Sequence, residues 1–306
     1  NMNIKLQNQI GAQFKLVAHK GDASIPSRES EWFKNIVLDT GLDQMSVGTW
    51  IDRCCVGSGN STPVASQTSL DNFIASTTAH QGSEQSLLQT SQSPIYYGVR
   101  FTWRFGLGVA AGNLSEVGMG WANDRLWNRA LIRDSEGTPV TITVLEDEYL
   151  DVICEIRVYP QETFNGSFNL RDKAGEIVSA HTYEGRPVLS GGSIDTYWAM
   201  GRVSFNWSSY NLNFRISPNA MTNVYADNGG TGVSYSTNTY PTSRSVRGVS
   251  TVGLDQVVFS HRSFQTHTTG FLSAGNGFKW EINPPITKTA QNTMTYSFEM
   301  AWGRRD

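Results

Sequence analysis

Charged residues are scarce in this chain of 306 residues. Asp, Glu, Lys and Arg together make up 17% of the sequence, against roughly 25% in an average globular domain. The formal net charge is −3. Nucleic-acid-binding proteins depend on a large excess of positive charge, which neither half of this chain carries. We therefore expect no nucleic-acid partner.

Cysteines and long apolar runs are also nearly missing. The chain has three cysteines, and Cys54 and Cys55 are adjacent, which does not fit the framework of a disulfide-stapled secreted protein. No window approaches the roughly 18 apolar residues of a membrane span, and residues 1–22 contain no apolar segment of signal-peptide type. These features predict a protein assembled in a reducing compartment and not inserted in a membrane.

Recognisable catalytic and cofactor motifs are absent. The sequence contains no GxxxxGK[ST] loop and no GxSxG elbow, and the glycine-rich segment GLGVAAGN (106–113) opens no apolar helix. It is better explained as a connection between a strand and a loop. We expect no cofactor and no enzymatic activity.

Two groups of polar residues are candidate catalytic or metal sites. Four carboxylates fall close together and could serve glycoside hydrolysis, but a solvated turn explains them as well: Glu146, Asp147, Glu148 and Asp151. His261 and His267 would share one face of an extended strand, yet a metal site needs three or four ligands and no others are evident. We expect no metal site and only a weak case for a glycan depolymerase.

Alternating apolar residues are the strongest positive signal. Aromatic residues reach 11% of the sequence, and from Val99 onward every second residue is apolar, which is typical of half-buried strands. The segments with this alternation are 99–107, 150–158, 203–207, 212–216, 278–282 and 294–302. Turn residues between Ala130 and Leu145 predict a hairpin. The fold class is therefore all-β, with antiparallel strands in a sandwich or barrel.

One short helix is expected near the N-terminus. Trp32, Phe33, Ile36 and Val37 recur at helical spacing, which predicts a helix over residues 28–39 with Gly41 as its C-terminal stop. Before it, residues 5–18 form an N-terminal strand or an arm that pairs with a neighbour.

Polar loops and two regions complete the expected organisation. We divide the chain into a β region over 1–160 that attaches to a larger particle and a second β region over 161–306, although the terminal strand could pair back and make one domain. Residues 217–253 form a long, polar, glycine-rich loop of the kind that often carries function. The residues predicted to contact a partner or receptor there are Tyr225, Tyr235, Tyr240, Arg244 and Arg247.

Residues 31–160 contain an ordered series of segments that resembles a known group of proteins. In chain order they are EWFKNIVLDTGLD, VGSGNSTPVASQTSL, VRFTWRFGLG, AAGNLSEVGMGW, RALIRDSEGTPVTITVL and LDVICEIRVYP. Together they resemble tail-associated structural proteins of tailed bacteriophages, of the tail-fibre, baseplate or tail-tip type. The remainder of the chain resembles no family we can name.

The resemblance implies a virion protein located in the tail and assembled in the host cytoplasm. Its partners would be copies of itself, other virion proteins, and a glycan or protein of the host surface. A capsid decoration or head-fibre protein is an alternative within the virion. A carbohydrate-binding β module is an alternative from another class, with Trp198, Trp207 and Tyr210 as further stacking candidates beside the tyrosines of the loop.

Overall fold

The structure, a computed structural model, describes residues 2–195, 199–205, 214–233, 237–272 and 275–306. Within these ranges it contains 23 strands and one short helix, which confirms the all-β fold class. The elements up to residue 160 are β1 (Met2–His19), β2 (Arg28–Glu29), β3 (Phe33–Lys34), β4 (Ile36–Val37), α1 (Asp39–Gln44), β5 (Arg53–Gly57), β6 (Phe73–Thr77), β7 (Gln85–Gln89), β8 (Tyr96–Phe105), β9 (Gly112–Leu114), β10 (Glu116–Ala122), β11 (Arg125–Leu126), β12 (Asn128–Leu131), β13 (Ile142–Val144) and β14 (Tyr149–Pro160). The later strands are β15 (Phe164–Arg171), β16 (Ile177–Val188), β17 (Phe214–Ser217), β18 (Thr231–Val233), β19 (Thr237–Thr239), β20 (Ser245–Val252), β21 (Ser260–His267), β22 (Gly277–Thr287) and β23 (Met294–Arg304).

One large sheet runs through both halves of the chain. Its order is β19-β20-β23-β1-β14-β8-β7, with β2 and β3 paired along the free part of β1. Strand β1 pairs antiparallel with β14 and parallel with β23. The regions 1–160 and 161–306 therefore share a sheet and a continuous apolar core.

Two six-stranded sheets and a small two-stranded one complete the fold. Their orders are β4-β12-β10-β5-β6 with β11 at its side, β15-β16-β22-β21-β17-β18, and β13-β9. Aromatic rings of the second six-stranded sheet interlock with rings of β23, and their centroids lie 5.0–6.1 Å apart. The rings are Phe214, Phe264, Trp280, Tyr296 and Phe298. Trp103 of β8 contacts Met119 of β10, which joins the first six-stranded sheet to the large one.

The alternation of apolar residues correctly predicted the buried faces of the long strands. Phe101 and Trp103 of β8 point inward with Cys154 of β14, whereas Arg100 and Arg104 point outward. The predicted strand over 99–107 is too long at its end, because Leu107 lies past the last residue of β8 and is 55% exposed.

The helix predicted over residues 28–39 is wrong. This range contains the short strands β2, β3 and β4, and the helix begins at Asp39 instead. Phe33 and Val37 are buried, but residues four apart share a face in a strand as well as in a helix, so their spacing could not distinguish the two. Gly41 lies inside α1, where a side chain would collide with the backbone of Trp127.

The prediction of a single long loop over 217–253 is also wrong. It contains β18, β19 and all of β20, and β20 is an interior strand of the large sheet. The remaining loop, 218–230, folds over the outer face of β21 and β22. The segment has so many glycine and polar residues that its short strands show no clear apolar alternation, although their apolar residues, such as Val246 and Val252, are buried.

The turn expected between Ala130 and Leu145 is present, although its flanking strands diverge. The amide of Val140 donates to the carbonyl oxygen of Ile132, but β13 then pairs with β9. The same turn recurs at the end of β15. In both, an Asp carboxylate (Asp134 or Asp172) accepts two backbone N–H groups, and the preceding Arg donates to the carbonyl oxygen of a glycine with positive φ.

Because β1 pairs with strands from both halves, we expect a single cooperative unfolding transition. Ile4 is fully buried on β1, so Ile4→Ala should lower the free energy of unfolding by about 2–4 kcal/mol. The exposed neighbour Gln7 provides a control, and Gln7→Ala should change stability very little. Denaturant titration followed by tryptophan fluorescence and far-UV circular dichroism measures both. Two separate transitions, of which Ile4→Ala shifts only one, would contradict a shared core.

Candidate functional site

Arginine and aromatic side chains alternate on the outer face of the large sheet. They project from β8, from β14 and from the segments that flank β1 and β23. We call this surface the arginine–aromatic face, formed by Trp32, Tyr96, Arg100, Arg104, Tyr149, Arg157, Tyr159 and Arg305. The outward positions of two adjacent antiparallel strands bring these groups together.

Each ring on this face lies under a guanidinium group. The distance from the guanidinium carbon to the ring centroid is 4.9 Å for Arg100 and Trp32, 5.7 Å for Arg104 and Tyr149, 4.1 Å for Arg157 and Tyr96, and 4.2 Å for Arg305 and Tyr159. These are cation–π distances. The stacking holds the arginines flat against the sheet while leaving part of each side chain accessible.

Two buried carboxylates neutralise part of the positive charge. Glu155 is fully buried and accepts hydrogen bonds from Arg100 (2.6 Å) on one oxygen and from Arg157 (2.5 Å) on the other. Asp151 accepts two bonds from Arg104, at 2.7 and 2.8 Å, and lies 3.1 Å from His19. Arg100 is the direct cross-strand partner of Glu155, and Arg104 that of Asp151, so the pattern repeats along the two strands.

This arrangement suits binding better than proton transfer. The oxygens of Glu155 and Asp151 are occupied by arginine, and the rings and guanidinium groups form a firm, partly exposed surface. Trp, Tyr and Arg are the residues most enriched at energetic centres of protein interfaces, because they combine large contact area with directed hydrogen bonds.

A cleft opens at one side of this face. Its volume is about 300 Å³, and it lies between β1, β3, β14 and the segment after β23. We call it the Arg157 cleft. The charged residues that line it are Lys34, Glu155, Arg157, Arg305 and Asp306.

A second cleft of about 460 Å³ lies near the end of β1. Asp22, Arg104 and Asp151 line it, and Asp22 accepts hydrogen bonds from the backbone and hydroxyl of Ser24. The imidazole of His19 accepts from the amide of Gly21, and this bond leaves its other nitrogen to donate to Asp151. The polar groups of this cleft thus hold one another in place.

A buried ion pair anchors the polar loop that follows β5. Glu116 and Arg129 are both fully buried and lie 2.9 Å apart. Glu116 accepts from the amides of Gly59, Asp71 and Asn72, and Arg129 donates to the carbonyl oxygen of Ser61. Residues 58–72 are therefore held in one conformation by two charges beneath them.

The four described residues among the five predicted to meet a partner do not form one cluster of free side chains. The Tyr240 hydroxyl donates to the carbonyl oxygen of Val203 (2.7 Å), and Tyr225 packs partly against the core. Arg244 pairs with Asp43 and Asp39, and Arg247 pairs with Glu299. Tyr235 lies outside the described residues, as do Trp198, Trp207 and Tyr210. Both arginines remain partly exposed, so a role in partner contact stays a prediction.

The acidic cluster is divided among separate contacts. Glu148 is buried, pairs with Arg28 and accepts the amide of Leu145, whereas the exposed Asp147 pairs with Lys20. Glu148 thus stabilises a turn. Within the described ranges it is not placed as one of two carboxylates that face each other across a cleft.

His261 and His267 make separate contacts and share no ligand in the part of the chain that the structure describes. His261 contacts the hydroxyl of Tyr296 (2.5 Å) and the carbonyl oxygen of Val257 (2.8 Å), and His267 lies 3.9 Å from Asp227. Across the described ranges no group of three or more His, Cys, Asp or Glu side chains is placed to hold a metal ion. The described part of the chain also contains no helix long and apolar enough to cross a membrane.

The cysteines are buried thiols. Cys54, Cys55 and Cys154 form no disulfide with one another. Burial raises the pKa of Cys55 to about 12, and thiols of this kind are unreactive near neutral pH. Their side chains fill the core between sheets.

Loop 218–230 is fastened to the sheet beneath it by a buried lysine. The ammonium group of Lys279 donates to the hydroxyl of Thr222 (2.5 Å) and to the carbonyl oxygens of Val224 and Ala226. Burial lowers the pKa of Lys279 to about 8. This loop is thus docked on the protein instead of extending into solvent.

The arginine–aromatic face was not predicted from the sequence. The alternation of Arg100, Thr102 and Arg104 indicated an outward polar face, but Tyr96, Arg157 and Arg305 meet only through strand pairing. The one usable signal was the outward spacing of Glu155, Arg157 and Tyr159 on the opposite face from the apolar residues of β14.

Comparison of the chain with protein-family models, with curated proteins and with solved structures returned no match. The resemblance of residues 31–160 to phage tail proteins therefore stays a prediction. Function has to be inferred from the surfaces described above.

Glu116→Gln should destabilise the protein by about 3 kcal/mol, because the buried Arg129 would keep only the partly exposed Asp71 as a charge partner. It should also make residues 58–72 susceptible to limited proteolysis. Asp147→Asn, which removes the exposed Lys20–Asp147 pair, is the matched control and should leave both properties unchanged. Unfolding titrations and mapping of tryptic fragments measure the two effects. If the Glu116→Gln variant unfolds at the same denaturant concentration as the wild type and its residues 58–72 resist trypsin, the anchoring role is disproved.

Stability should fall as the pH drops from about 6.5 to 4. Burial lowers the pKa of His267 to about 4, whereas an unfolded histidine titrates near 6.5. In this window the unfolded chain binds more protons than the folded protein, so acid favours unfolding by on the order of 3 kcal/mol from this residue. Asp227 and Arg215 are the charged groups that influence it. His267→Gln should flatten the pH dependence of the melting temperature, and an unchanged slope would contradict the assignment.

Proposed function

We propose that this protein is a non-enzymatic structural component of a bacteriophage virion, located in the tail and working through contacts between subunits and with the host surface. The resemblance of residues 31–160 to tail-associated proteins favours the tail. The contact surfaces of the described residues favour a role that depends on binding area. The proposed partners are further copies of the chain, other virion proteins, and a glycan or protein on the host cell.

The observation that carries this proposal is the β15–β16 hairpin. Strand β16 pairs with β22 from Thr182 to Val188, whereas residues 177–181 have only β15 as a strand neighbour. Ile177 and Val178 lie in this projecting part and are 52% and 57% exposed. A β-bulge at Val178 interrupts the pairing with β15 here, so two adjacent aliphatic side chains are exposed near the tip of the ribbon.

A projecting two-stranded ribbon of this kind is marginally stable by itself. Two adjacent exposed β-branched residues at its tip are typical of a surface that another protein covers. The strand β15 is also the outermost strand of its sheet, so its outer edge is open to a neighbouring subunit. These features support an oligomer in which the hairpin is an arm that contacts the next subunit.

The charged groups support contact in preference to catalysis. Among the described residues, the carboxylates considered for glycan cleavage hold turns and arginines, and the arginine–aromatic face has the composition of an interface. A broad surface of this kind can attach the protein to a particle. The outward loops remain available for host contact.

Removing the aliphatic groups of the arm should reduce the oligomer. We expect the wild-type chain to form a discrete oligomer in light scattering, and Ile177→Thr/Val178→Thr to shift it toward a monomer with an unchanged melting temperature. Leu254→Thr removes an equally exposed aliphatic group elsewhere, at 50% exposure, and should leave the mass unchanged. A wild-type monomer at all concentrations would overturn the role of the arm.

The location on the virion is tested by labelling intact particles with an antibody raised against the folded protein. Label at the tail end supports the proposal. Label over the head would support the decoration or head-fibre alternative, and no label would leave a free glycan-binding module as the better explanation.

A further inference from the structure

The Arg157 cleft is formed by the absence of a side chain. Gly11 of β1 lies opposite Arg157 of β14 in the sheet. The segment after β23 crosses close above it, where the amide of Arg305 donates to the carbonyl oxygen of Ile10 (2.9 Å). A Cβ atom on Gly11 would lie 3.1 Å from the carbonyl oxygen of Arg305, so a larger residue would crowd this space. The cavity of about 300 Å³ is thus a defined part of the sheet surface.

The charges around the cleft are not balanced. Three cations line it, Lys34, Arg157 and Arg305, against two carboxylates, Glu155 and Asp306. Both oxygens of Glu155 are already bonded to arginines. Within the described ranges Lys34 has no ion-pair partner, and the guanidinium of Arg305 bonds only the neutral amide of Gln9. The lining therefore has an excess of one positive charge, and two of its cations can pair with an anion.

The neutral groups of the cleft can bind hydroxyl groups. Asn35 donates its amide N–H to the carbonyl oxygen of Ala12, while its side-chain oxygen is buried and has no hydrogen-bond partner among the described residues. A buried acceptor of this kind needs a donor. Gln13 also lines the cleft, with a half-buried amide, and the ring of Tyr159 forms part of the wall.

From this combination we propose that the Arg157 cleft binds a carboxylated sugar, such as a hexuronate residue of an acidic surface glycan. The carboxylate pairs with Lys34 and Arg305, and ring hydroxyls exchange hydrogen bonds with Gln13. A singly charged carboxylate matches the single excess charge, whereas a phosphate dianion would meet the repulsion of Glu155 and Asp306. The proposal rests on the proposed function, in which the host-surface partner is a glycan.

Calorimetric titration with trigalacturonate tests this site, with the trimethyl ester as the uncharged probe. The wild-type protein should bind trigalacturonate and bind the ester at least ~10-fold more weakly. Lys34→Gln/Arg305→Gln should weaken trigalacturonate binding by a similar factor. Lys173→Gln/Arg125→Gln removes two exposed cations at distant positions and should leave binding unchanged, which separates the cleft from bulk charge.

Three results would overturn the inference. They are no binding of trigalacturonate by the folded wild-type protein, equal binding of acid and ester, and equal losses in the two double variants. A glutamate-rich peptide that binds the cleft more tightly than trigalacturonate would reassign it to a protein partner. Virion labelling is independent of these titrations. Label at the tail without uronate binding would reject only the proposed ligand of this cleft. Uronate binding without label on the virion would reject the tail function but leave the cleft as a uronate site.

Discussion

The pairing of β1 on both of its edges is the constraint on which the rest of the structure depends. This strand of 18 residues pairs with β23 over Met2–Ile10 and with β14 over Asn8–His19, so it links strands from the two ends of the chain. Its inward residues are buried along nearly its whole length, so the strand serves the core of both halves at once. The large sheet, its arginine–aromatic face and the Arg157 cleft are built around this strand. A change that displaced β1 would therefore disturb the packing of the core and the proposed binding surface together.

Several carboxylates of this protein are buried and paired with arginine. Glu155 and Asp151 sit beneath arginines on the large sheet, and Glu116 pairs with Arg129 beneath a loop of 15 residues, 58–72. A buried ion pair adds little net stability over an apolar pair, but it strongly disfavours any arrangement that separates its partners. These pairs thus specify conformation, which suits a protein whose proposed role is to present fixed surfaces.

The fold class and the buried faces of the long strands could be predicted from the sequence, because a period of two apolar residues is a local property. The segment from Phe33 to Val37 could not, since a spacing of four residues fits either a helix or a strand and pairing with β1 decides the outcome. Whether the residues of the arginine–aromatic face meet depends on the register of strand pairing. Arg157 and Tyr96 are more than 60 positions apart, and a shift of one residue in the pairing of β8 and β14 would have placed them on opposite faces. The predicted contact residues Arg244 and Arg247 were recognised as exposed arginines, but their carboxylate partners come from other strands.

The parallel pairing of β1 with β23 has a consequence for how the chain reaches its native state. The hydroxyl of Ser297 donates to the carbonyl oxygen of Met2, 295 positions away in the sequence. Contacts of such separation give a high contact order and slow folding, whereas the two Arg-Asp turns close within a few residues and can form in microseconds. During synthesis, β1 must therefore wait for almost the entire chain before its second edge is covered. The nine residues Met2–Ile10 that pair with β23 leave an exposed edge, which is a site for misassembly in that interval, so the yield of native protein should depend on chain concentration and on the rate at which the last strand is delivered.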